Sequence, residues 1–145
     1  TLNRAVKNFD PEIVLHLAAQ PLVSEGYKDA AGTFSTNVMG TVNLLSSVHK
    51  YSNAKAIISV TTDKVYKNDG TRRAFIETDQ LGGDDPYSAS KAASDHLARC
   101  YYETFGLPTI VTNCSNNYGP CQHIEKLIPL IIIYQFYNSF HIPKC

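Results

Sequence analysis

The sequence predicts an α/β fold in which a parallel sheet carries helices on both faces. Short, compact apolar segments alternate with longer segments whose apolar residues recur at helical spacing. Strand and helix alternating over this distance is typical of parallel strands joined by crossover helices. The 145 residues suffice for one modest domain, and they contain no internal repeat or linker.

Three strands and two long helices are predicted in alternating order. The strands are the apolar runs at residues 13–17, 56–60 and 107–113. The first helix, residues 33–51, has an apolar face, and the second, residues 88–105, is stopped by Gly106. In a parallel sheet, ligands bind beyond the carboxyl ends of the strands. We therefore expect functional residues in three segments of small or polar residues: 18–21, 61–66 and 114–120.

Composition and charge argue against several classes of partner. Hydrophobic residues make up 43% of the chain, and thirteen basic residues balance thirteen acidic ones. Neither nucleic acid nor a membrane is therefore expected as a partner. The longest apolar run, residues 127–134, contains Pro129 and is too short to span a bilayer.

The cysteines predict a reducing, cytoplasmic environment. The chain has Cys100, Cys114, Cys121 and Cys145, with no C-x-x-C pair and no zinc-ligand spacing to the histidines. Free thiols are the expected state, and no metal site is predicted. The chain does not begin with a signal peptide.

Tyr87 and Lys91 form the sharpest motif in the chain. They stand four residues apart on a predicted helix, so both side chains project from one face. A neighbouring ammonium lowers the pKa of a phenol, so Tyr87 could accept a proton from a hydroxyl while hydride leaves the same carbon. Tyrosine and lysine also occur at this spacing by chance on helix surfaces, and the motif alone leaves both interpretations open.

Thr62, Asp63 and Lys64 directly follow the second predicted strand, where an α/β active site is expected. Thr62 can hydrogen-bond a substrate hydroxyl. Asp63 can act as a general acid in a site of low polarity, and Lys64 can act as a base if burial lowers its pKa. Without the tyrosine motif, Asp63 and Lys64 would be better interpreted as a solvated ion pair in a turn.

The other two strand ends contribute further candidates. Ala18 and Ala19 let a flat ligand approach the backbone, although tight packing under the next helix explains them equally well. Asn116 and Asn117 can donate amide hydrogens to a phosphate or a carboxamide, but asparagines are also routine in turns. Lys126 could neutralise a phosphate or be a solvated lysine at a helix start.

A glycine-rich turn, which binds the pyrophosphate of a dinucleotide, is missing from the sequence. Gly26, Gly32 and Gly40 are too scattered to form it. If this is a dinucleotide-binding domain, we expect its first βαβ unit to precede Thr1 and the chain to be a piece of a longer protein.

Five motifs together resemble the nucleotide-sugar 4,6-dehydratases of the extended short-chain dehydrogenase/reductase family. In chain order they are L-A-A, T-N-x-x-G-T, T-D-x-x-Y, P-Y-S-A-S-K and S-N-N-Y-G-P. The resemblance runs from Ile13 to about Ile133, and residues 134–145 match poorly. The part before about Asp85 is similar to CDP-glucose 4,6-dehydratase and the later part to dTDP-glucose 4,6-dehydratase. The chain could accordingly be an intermediate homologue, a recombinant or a chimera.

The resemblance implies a partial Rossmann-type sheet: residues 1–145 would be the central part of an NAD-binding domain, without the first βαβ unit and the C-terminal substrate domain. It also implies catalytic roles. Tyr87 would be the base that opens the reaction, with Lys91 bound to the NAD ribose. Thr62 would orient the sugar 4-hydroxyl, and Asp63 would protonate the departing 6-hydroxyl. Lys64 would remove the C5 proton, as in CDP-type enzymes, where dTDP-type enzymes have glutamate.

The same resemblance implies two sets of binding residues. The NAD set is Leu17, Ala18, Ala19, Gln20, Pro21, Thr36, Tyr87, Lys91 and Asn117. The substrate set is Thr61, Thr62, Asn116, Lys126 and Leu127.

The implied reaction is the NAD-dependent dehydration of a nucleoside-diphosphate glucose to the 4-keto-6-deoxy sugar, with dTDP-glucose as the preferred substrate. CDP-glucose, a related epimerase reaction and a non-catalytic role are the alternatives. The full-length protein is expected to be a homodimer formed through residues 33–51 and 88–105. The 145 residues alone are expected to be inactive, because they lack the glycine turn and the substrate domain.

Overall fold

The computed structural model describes residues 1–70 and 72–139. It contains two compact units, Thr1–Ser115 and the residues from Asn116 onward, which are described separately. The helices and strands of the first unit are α1 (Leu2–Phe9), β1 (Ile13–His16), α2 (Val23–Lys28), α3 (Ala30–Phe34), α4 (Gly40–Tyr51), β2 (Ala56–Val60), α5 (Pro86–Phe105) and β3 (Thr109–Thr112).

The three strands form a parallel sheet in the order β1-β2-β3, which confirms the predicted α/β class. Crossovers between parallel strands are right-handed, so two crossovers that advance in the same direction place their helices on the same face. Ile57 of β2 is accordingly fully buried, whereas Ile13 and Leu15 on the opposite face are 63% and 61% exposed. Among the described residues of Thr1–Ser115, the helices thus cover the face that carries Ile57.

An apolar core joins α4 to the covered face of the sheet. Leu45 and Val48 of α4 pack with Ile57, and Val6 and Leu107 complete the cluster. Fully burying one such aliphatic side chain contributes about 1.5–3 kcal/mol. This core fixes α4 under the sheet and leaves the carboxyl ends of the strands for polar residues.

Helix α5 has well-defined ends, which place Tyr87 in its first turn. Asp85 caps the helix, its Oδ1 accepting a hydrogen bond from Ser88 N at 3.0 Å, and Pro86 suits the first helical position. The helix ends at Gly106, whose φ of 65° is readily adopted by glycine. The cap at Asp85 makes the helix begin two residues before the predicted start at Ser88.

The helix predicted for residues 33–51 begins earlier and is not uniform. Asp29 caps α3, its Oδ1 accepting from Gly32 N at 2.8 Å, so the helical segment starts at Ala30. Between α3 and α4 the backbone is π-helical over Ser35–Met39. Short π-helical segments inside α-helices often occur at functional sites. Helix α2 was not predicted, and β1 and β3 are shorter than the apolar runs that predicted them.

The second unit contains α6 (Leu127–Ser139). Pro129 is tolerated there because its first-turn nitrogen would have no intrahelical partner. Within this unit a cleft of about 420 Å³ is lined by residues that include Tyr118, Cys121 and Ile128. No described helix is long and apolar enough to cross a membrane.

The described cysteines, Cys100, Cys114 and Cys121, form no disulfide with one another. Cys145 and the rest of residues 140–145 lie outside the described residues. Within the described ranges, no cluster of histidine, cysteine, aspartate and glutamate could hold a metal ion.

Candidate active site

The end of β2 turns directly into one turn of 3₁₀-helix, Asp63–Val65, which carries two of the predicted catalytic residues. Thr62 precedes this turn. Its Oγ1 donates to Asp63 Oδ1 at 3.1 Å and accepts from Lys64 N at 3.4 Å. Thr62 is buried, Asp63 is half-buried and Lys64 is exposed. Asp63 lines two clefts of about 310 and 410 Å³, and Lys64 lines the smaller one, so both side chains face accessible space.

Helix α5 brings Tyr87 and Lys91 to the same strand end. Lys91 is only 8% exposed, and its Nζ donates to Val60 O, the last residue of β2, at 2.7 Å. Tyr87 is half-buried, and its phenol lies close to the side chain of Thr62. The structure therefore gathers Thr62, Asp63, Tyr87 and Lys91 where the strand-end rule predicted a site.

The electrostatics of the helix residues differ from the sequence-based expectation. Burial raises the pKa of Tyr87, and the hydrogen bond with Thr62 lowers it by less. Burial lowers the pKa of Lys91, while the nearby Cys114 acts in the opposite direction. The predicted lowering of the tyrosine pKa is therefore wrong. The Lys91 ammonium donates a hydrogen bond to the Val60 carbonyl oxygen. Burial is the largest cause of the pKa shift of the Tyr87 phenol.

His16, at the end of β1, also lies near this lysine. Its Nε2 and the Thr41 Oγ1 are 3.0 Å apart in a hydrogen bond. Burial is the main cause that lowers the pKa of His16, and the charge of Lys91 lowers it further. The histidine is thus held towards its neutral form beside a buried cation.

The predicted NAD residues after β1 are partly exposed and partly held in place. Leu17, Ala18, Pro21 and Thr36 are exposed, whereas Ala19 and Gln20 are half-buried. The Gln20 side chain is bound within the chain, since its Nε2 donates to Thr33 Oγ1 at 2.8 Å. Leu17, Ala18 and Pro21 are consequently the accessible residues of the segment that follows β1.

Asn37 is a site-building residue whose role the sequence analysis missed. It lies in the π-helical segment and is buried. Its Oδ1 accepts from Gln20 N at 2.7 Å, and its Nδ2 donates to Gln20 O at 3.1 Å and to Ser90 Oγ at 2.8 Å. Asn37 therefore joins the strand end after β1 to α5. The T-N-x-x-G-T motif was the available signal, but it does not reveal these partners.

Thr61, predicted to bind substrate, has its hydroxyl engaged between strands. Its Oγ1 donates to Thr112 O at 3.1 Å and accepts from Asn113 Nδ2 at 2.7 Å. Asn113 was not singled out from the sequence, although it directly follows β3 and the strand-end rule could have indicated it.

The remaining predicted residues lie in the second unit. Asn116, Asn117 and Leu127 are exposed there, and Lys126 is half-buried. Lys126 N donates to His123 O at 3.0 Å, and Gln122 Nε2 donates to Asn117 O at 2.7 Å. These contacts lie within the unit, and the substrate and NAD roles of the four residues stay predictions.

Comparison with known proteins identifies the family. Residues 1–136 match the family model described as GDP-mannose 4,6 dehydratase. A probable dTDP-glucose 4,6-dehydratase of Sinorhizobium fredii is 44% identical over 140 residues, and a dTDP-glucose 4,6-dehydratase of Neisseria meningitidis serogroup B is 45% identical over 141. Each alignment covers 91% of this chain and 40% of the relative, so the chain spans about 40% of the length of these curated relatives.

A solved structure shows the same relationship. The crystal structure of a DesIV double mutant (dTDP-glucose 4,6-dehydratase) from Streptomyces venezuelae, with NAD and DAU bound, superposes with a TM-score of 0.86 at 36% identity. It covers 94% of this chain and 41% of that one. The sequence-based resemblance to nucleotide-sugar 4,6-dehydratases is confirmed, and the chain belongs to the GDP-mannose 4,6 dehydratase family.

Proposed function

We propose that the natural protein carrying this chain removes water from a nucleoside-diphosphate glucose, with dTDP-glucose as its preferred substrate, to give a 4-keto-6-deoxy sugar. The observation that carries the proposal is the meeting of Thr62, Asp63 and Tyr87 at the end of β2 in a member of this family. Oxidation of an alcohol needs a base and departure of a hydroxyl needs an acid, and these side chains can supply both.

Tyr87 is the proposed base for the 4-hydroxyl. Burial raises the pKa of this phenol, so the phenol keeps its proton. The base role requires a positive charge to approach the phenol oxygen when ligands bind. Lys91 lies one helical turn away and is the proposed source of that charge, while Thr62 contacts the phenol and orients the sugar hydroxyl.

Asp63 and Lys64 are the proposed pair for loss of water. Asp63 would give a proton to the departing 6-hydroxyl, and Lys64 would take the proton from C5, which the adjacent 4-ketone acidifies. The cleft of about 310 Å³ that both residues line supports this pairing.

NAD is the proposed cofactor, and residues 1–145 are the proposed central part of its binding domain. The donor set of Lys91 fits a ribose diol: the buried ammonium has Val60 O as its one hydrogen-bond acceptor within the described ranges, which leaves two N–H groups for hydroxyl oxygens. Ala18 is exposed and Ala19 half-buried, and their small side chains would let a flat ligand approach the backbone. When bound, NAD would take a hydride from C4 and return one to C6. Leu17, Gln20, Pro21, Thr36 and Asn117 complete the proposed NAD set.

The choice of nucleotide rests on two opposing observations. The relatives at 44% and 45% identity are named for dTDP-glucose, and this supports the main proposal. Lys64, where dTDP-type enzymes have glutamate, favours CDP-glucose as the second candidate. The proposed substrate contacts from Thr61, Asn116, Lys126 and Leu127 do not separate the two.

A direct assay tests the function. The complete natural protein, loaded with NAD, is incubated separately with dTDP-glucose and CDP-glucose, and the products are analysed by mass spectrometry and NMR. We expect loss of one water from dTDP-glucose and a keto group at C4. Turnover of CDP-glucose alone would overturn the dTDP preference. Formation of a C4 epimer without loss of water would overturn the dehydratase proposal itself.

A homodimer is proposed for the full-length protein, formed through the two long helical segments. Met39, Tyr102 and Phe105 are about half exposed on these segments and supply an apolar surface for a second copy. Light scattering of the complete protein tests this, and a monomer mass would overturn it. A cytoplasmic location is also proposed, because the described cysteines form no disulfide with one another.

A further inference from the structure

Asn113, directly after β3, makes three side-chain hydrogen bonds, and two of them reach residues that flank the turn carrying Asp63. Its Nδ2 donates to Thr61 Oγ1 at 2.7 Å and to Asp95 Oδ2 at 2.9 Å. Its Oδ1 accepts from Tyr66 Oη at 3.2 Å. Both amide hydrogens and the carbonyl oxygen are therefore used.

Asp95 fixes the orientation of this carboxamide. The carboxylate is fully buried, and its other oxygen accepts from Arg99 Nε one turn further along α5. A carboxylate can only accept hydrogen bonds, so the NH₂ side of Asn113 must face it. The Asn113 oxygen then faces the Tyr66 hydroxyl, because a flipped amide would set its oxygen against the Asp95 carboxylate.

The two partners that Asn113 holds lie on either side of the catalytic turn. Thr61 immediately precedes Thr62, and Tyr66 immediately follows the 3₁₀ turn Asp63–Val65. Thr61 and Tyr66 are both buried. Inside the turn, the backbone bonds Val65 N to Thr62 O and Tyr66 N to Asp63 O are each 3.2 Å long. These long internal bonds make external anchoring at both ends important for the position of Asp63.

We propose that Asn113, oriented by Asp95, is a positioning residue that holds both ends of the turn and so sets where the Asp63 carboxyl lies. Asn113 acts through Thr61 and Tyr66 and touches no reacting atom. The inference rests on the proposed function in one respect, namely that Asp63 is the acid for the loss of water. It predicts that loosening the anchor slows the loss of water more than it slows oxidation at C4, because Tyr87 and Lys91 lie on α5 and not on the turn.

The test compares two tyrosine hydroxyls in the complete, NAD-loaded protein. Tyr66→Phe removes only the hydroxyl bonded to Asn113 and keeps an aromatic ring against Phe75, whose centroid is 5.0 Å away. Tyr101→Phe is the matched control, because it removes a hydroxyl of α5 that bonds Ser46 Oγ at 2.6 Å. Asn113→Ala is the stronger second variant, and it removes both anchors together.

Two kinds of readout separate positioning from general stability. With the nucleotide glucose that the wild type turns over, C4 oxidation is followed by cofactor absorbance, and loss of water by deuterium uptake at C5 in D₂O. In Tyr66→Phe we expect the loss of water to slow about tenfold, with C4 oxidation and KM changed less than about twofold, since misplacement by a fraction of an ångström is costly. Hydrogen exchange at the amides of Val65 and Tyr66 should accelerate in Tyr66→Phe and not in Tyr101→Phe.

The outcomes separate this inference from the proposed function. If the wild type dehydrates its substrate and Tyr66→Phe slows both steps equally, or slows neither, the positioning role is overturned while the function stands. If the wild type dehydrates no nucleotide glucose, the function fails, and exchange at Val65 and Tyr66 still decides whether Asn113 holds the turn. Unchanged exchange in both Tyr66→Phe and Asn113→Ala would overturn the inference.

Discussion

The two halves of the candidate site are positioned by different kinds of interaction. Tyr87 and Lys91 belong to one long helix whose ends are fixed locally, by Asp85 at the start and Gly106 at the end. Asp63 belongs to a single 3₁₀ turn that is held by contacts with distant segments. Its own N–H donates to Cys114 O at 3.1 Å, and Asn113 bonds Thr61, 52 positions away in the chain. The helix half therefore follows from sequence spacing, whereas the turn half depends on the tertiary structure.

The difference extends to solvent exposure. In the helix half, burial moves the pKa of Tyr87 up and that of Lys91 down, so both neutral forms are favoured. In the turn half, Asp63 is half-buried and Lys64 is exposed at a cleft. Substitutions in the two halves should consequently change different steps of the proposed reaction.

The largest effect is expected from Tyr87→Phe. Removing the phenol hydroxyl deletes the proposed base, so kcat should fall about 10²–10⁴-fold, the usual contribution of a general base. C4 oxidation precedes loss of water, so both steps should stop together. Stopped-flow absorbance of the bound cofactor measures the first step. Tyr102→Phe, which changes an exposed tyrosine of the same helix, is the control. Oxidation at the wild-type rate in Tyr87→Phe would show that Tyr87 is not the base for C4 oxidation.

Asp63→Asn, in the turn half of the site, should affect only the loss of water. Asparagine keeps an oxygen that can accept from the Thr62 hydroxyl, now at 3.1 Å, but it cannot give up a carboxyl proton. Loss of water should slow about 10²-fold while C4 oxidation is spared. Product NMR over time measures the first quantity and cofactor absorbance the second. Asp10→Asn, at the opposite end of the sheet, should change neither. Dehydration at the normal rate would show that Asp63 is not the acid.

The same contrast explains what the sequence could predict. The Tyr87–Lys91 pair, the helix end at Gly106 and the placement of Thr62 after a strand follow from local spacing and residue type. The hydrogen bonds of Asn37 to Gln20 and of Asn113 to Tyr66 join distant segments, and no local pattern encodes them. The direction of the Tyr87 pKa shift also depends on burial by other segments. The covered face of the sheet required the strand order, which the sequence analysis did not predict.

Asp85→Ala should test how strongly the helix half depends on its cap. The Asp85 carboxylate accepts from Ser88 N at 3.0 Å and from Ser88 Oγ at 2.6 Å. Its loss should cost about 1 kcal/mol of stability, as for other N-caps. Thermal unfolding measures the change, and Asp85→Asn should restore most of it. The adjacent, exposed Asp84→Ala is the control and should stay within about 0.5 kcal/mol. Equal losses in the two alanine variants would contradict the capping role.

The smallest effect is expected on the pH dependence of stability, through His16, which lies near Lys91. Burial, and then the charge of Lys91, lower the pKa of His16 from its ordinary value of 6.5. Below pH 6.5 His16 binds a proton readily in the unfolded chain and less readily in the folded chain. The free energy of unfolding therefore decreases as the pH falls through this range. His16→Asn removes the titrating ring, and its stability should therefore fall less than that of the wild type between pH 8 and pH 5. Thermal unfolding across this range, with exposed His96→Asn as the control, measures the difference. If both variants follow the wild-type pH dependence, titration of His16 does not contribute to the pH dependence of stability. Burial and the charge of Lys91 then do not lower the pKa of His16 as the structure indicates.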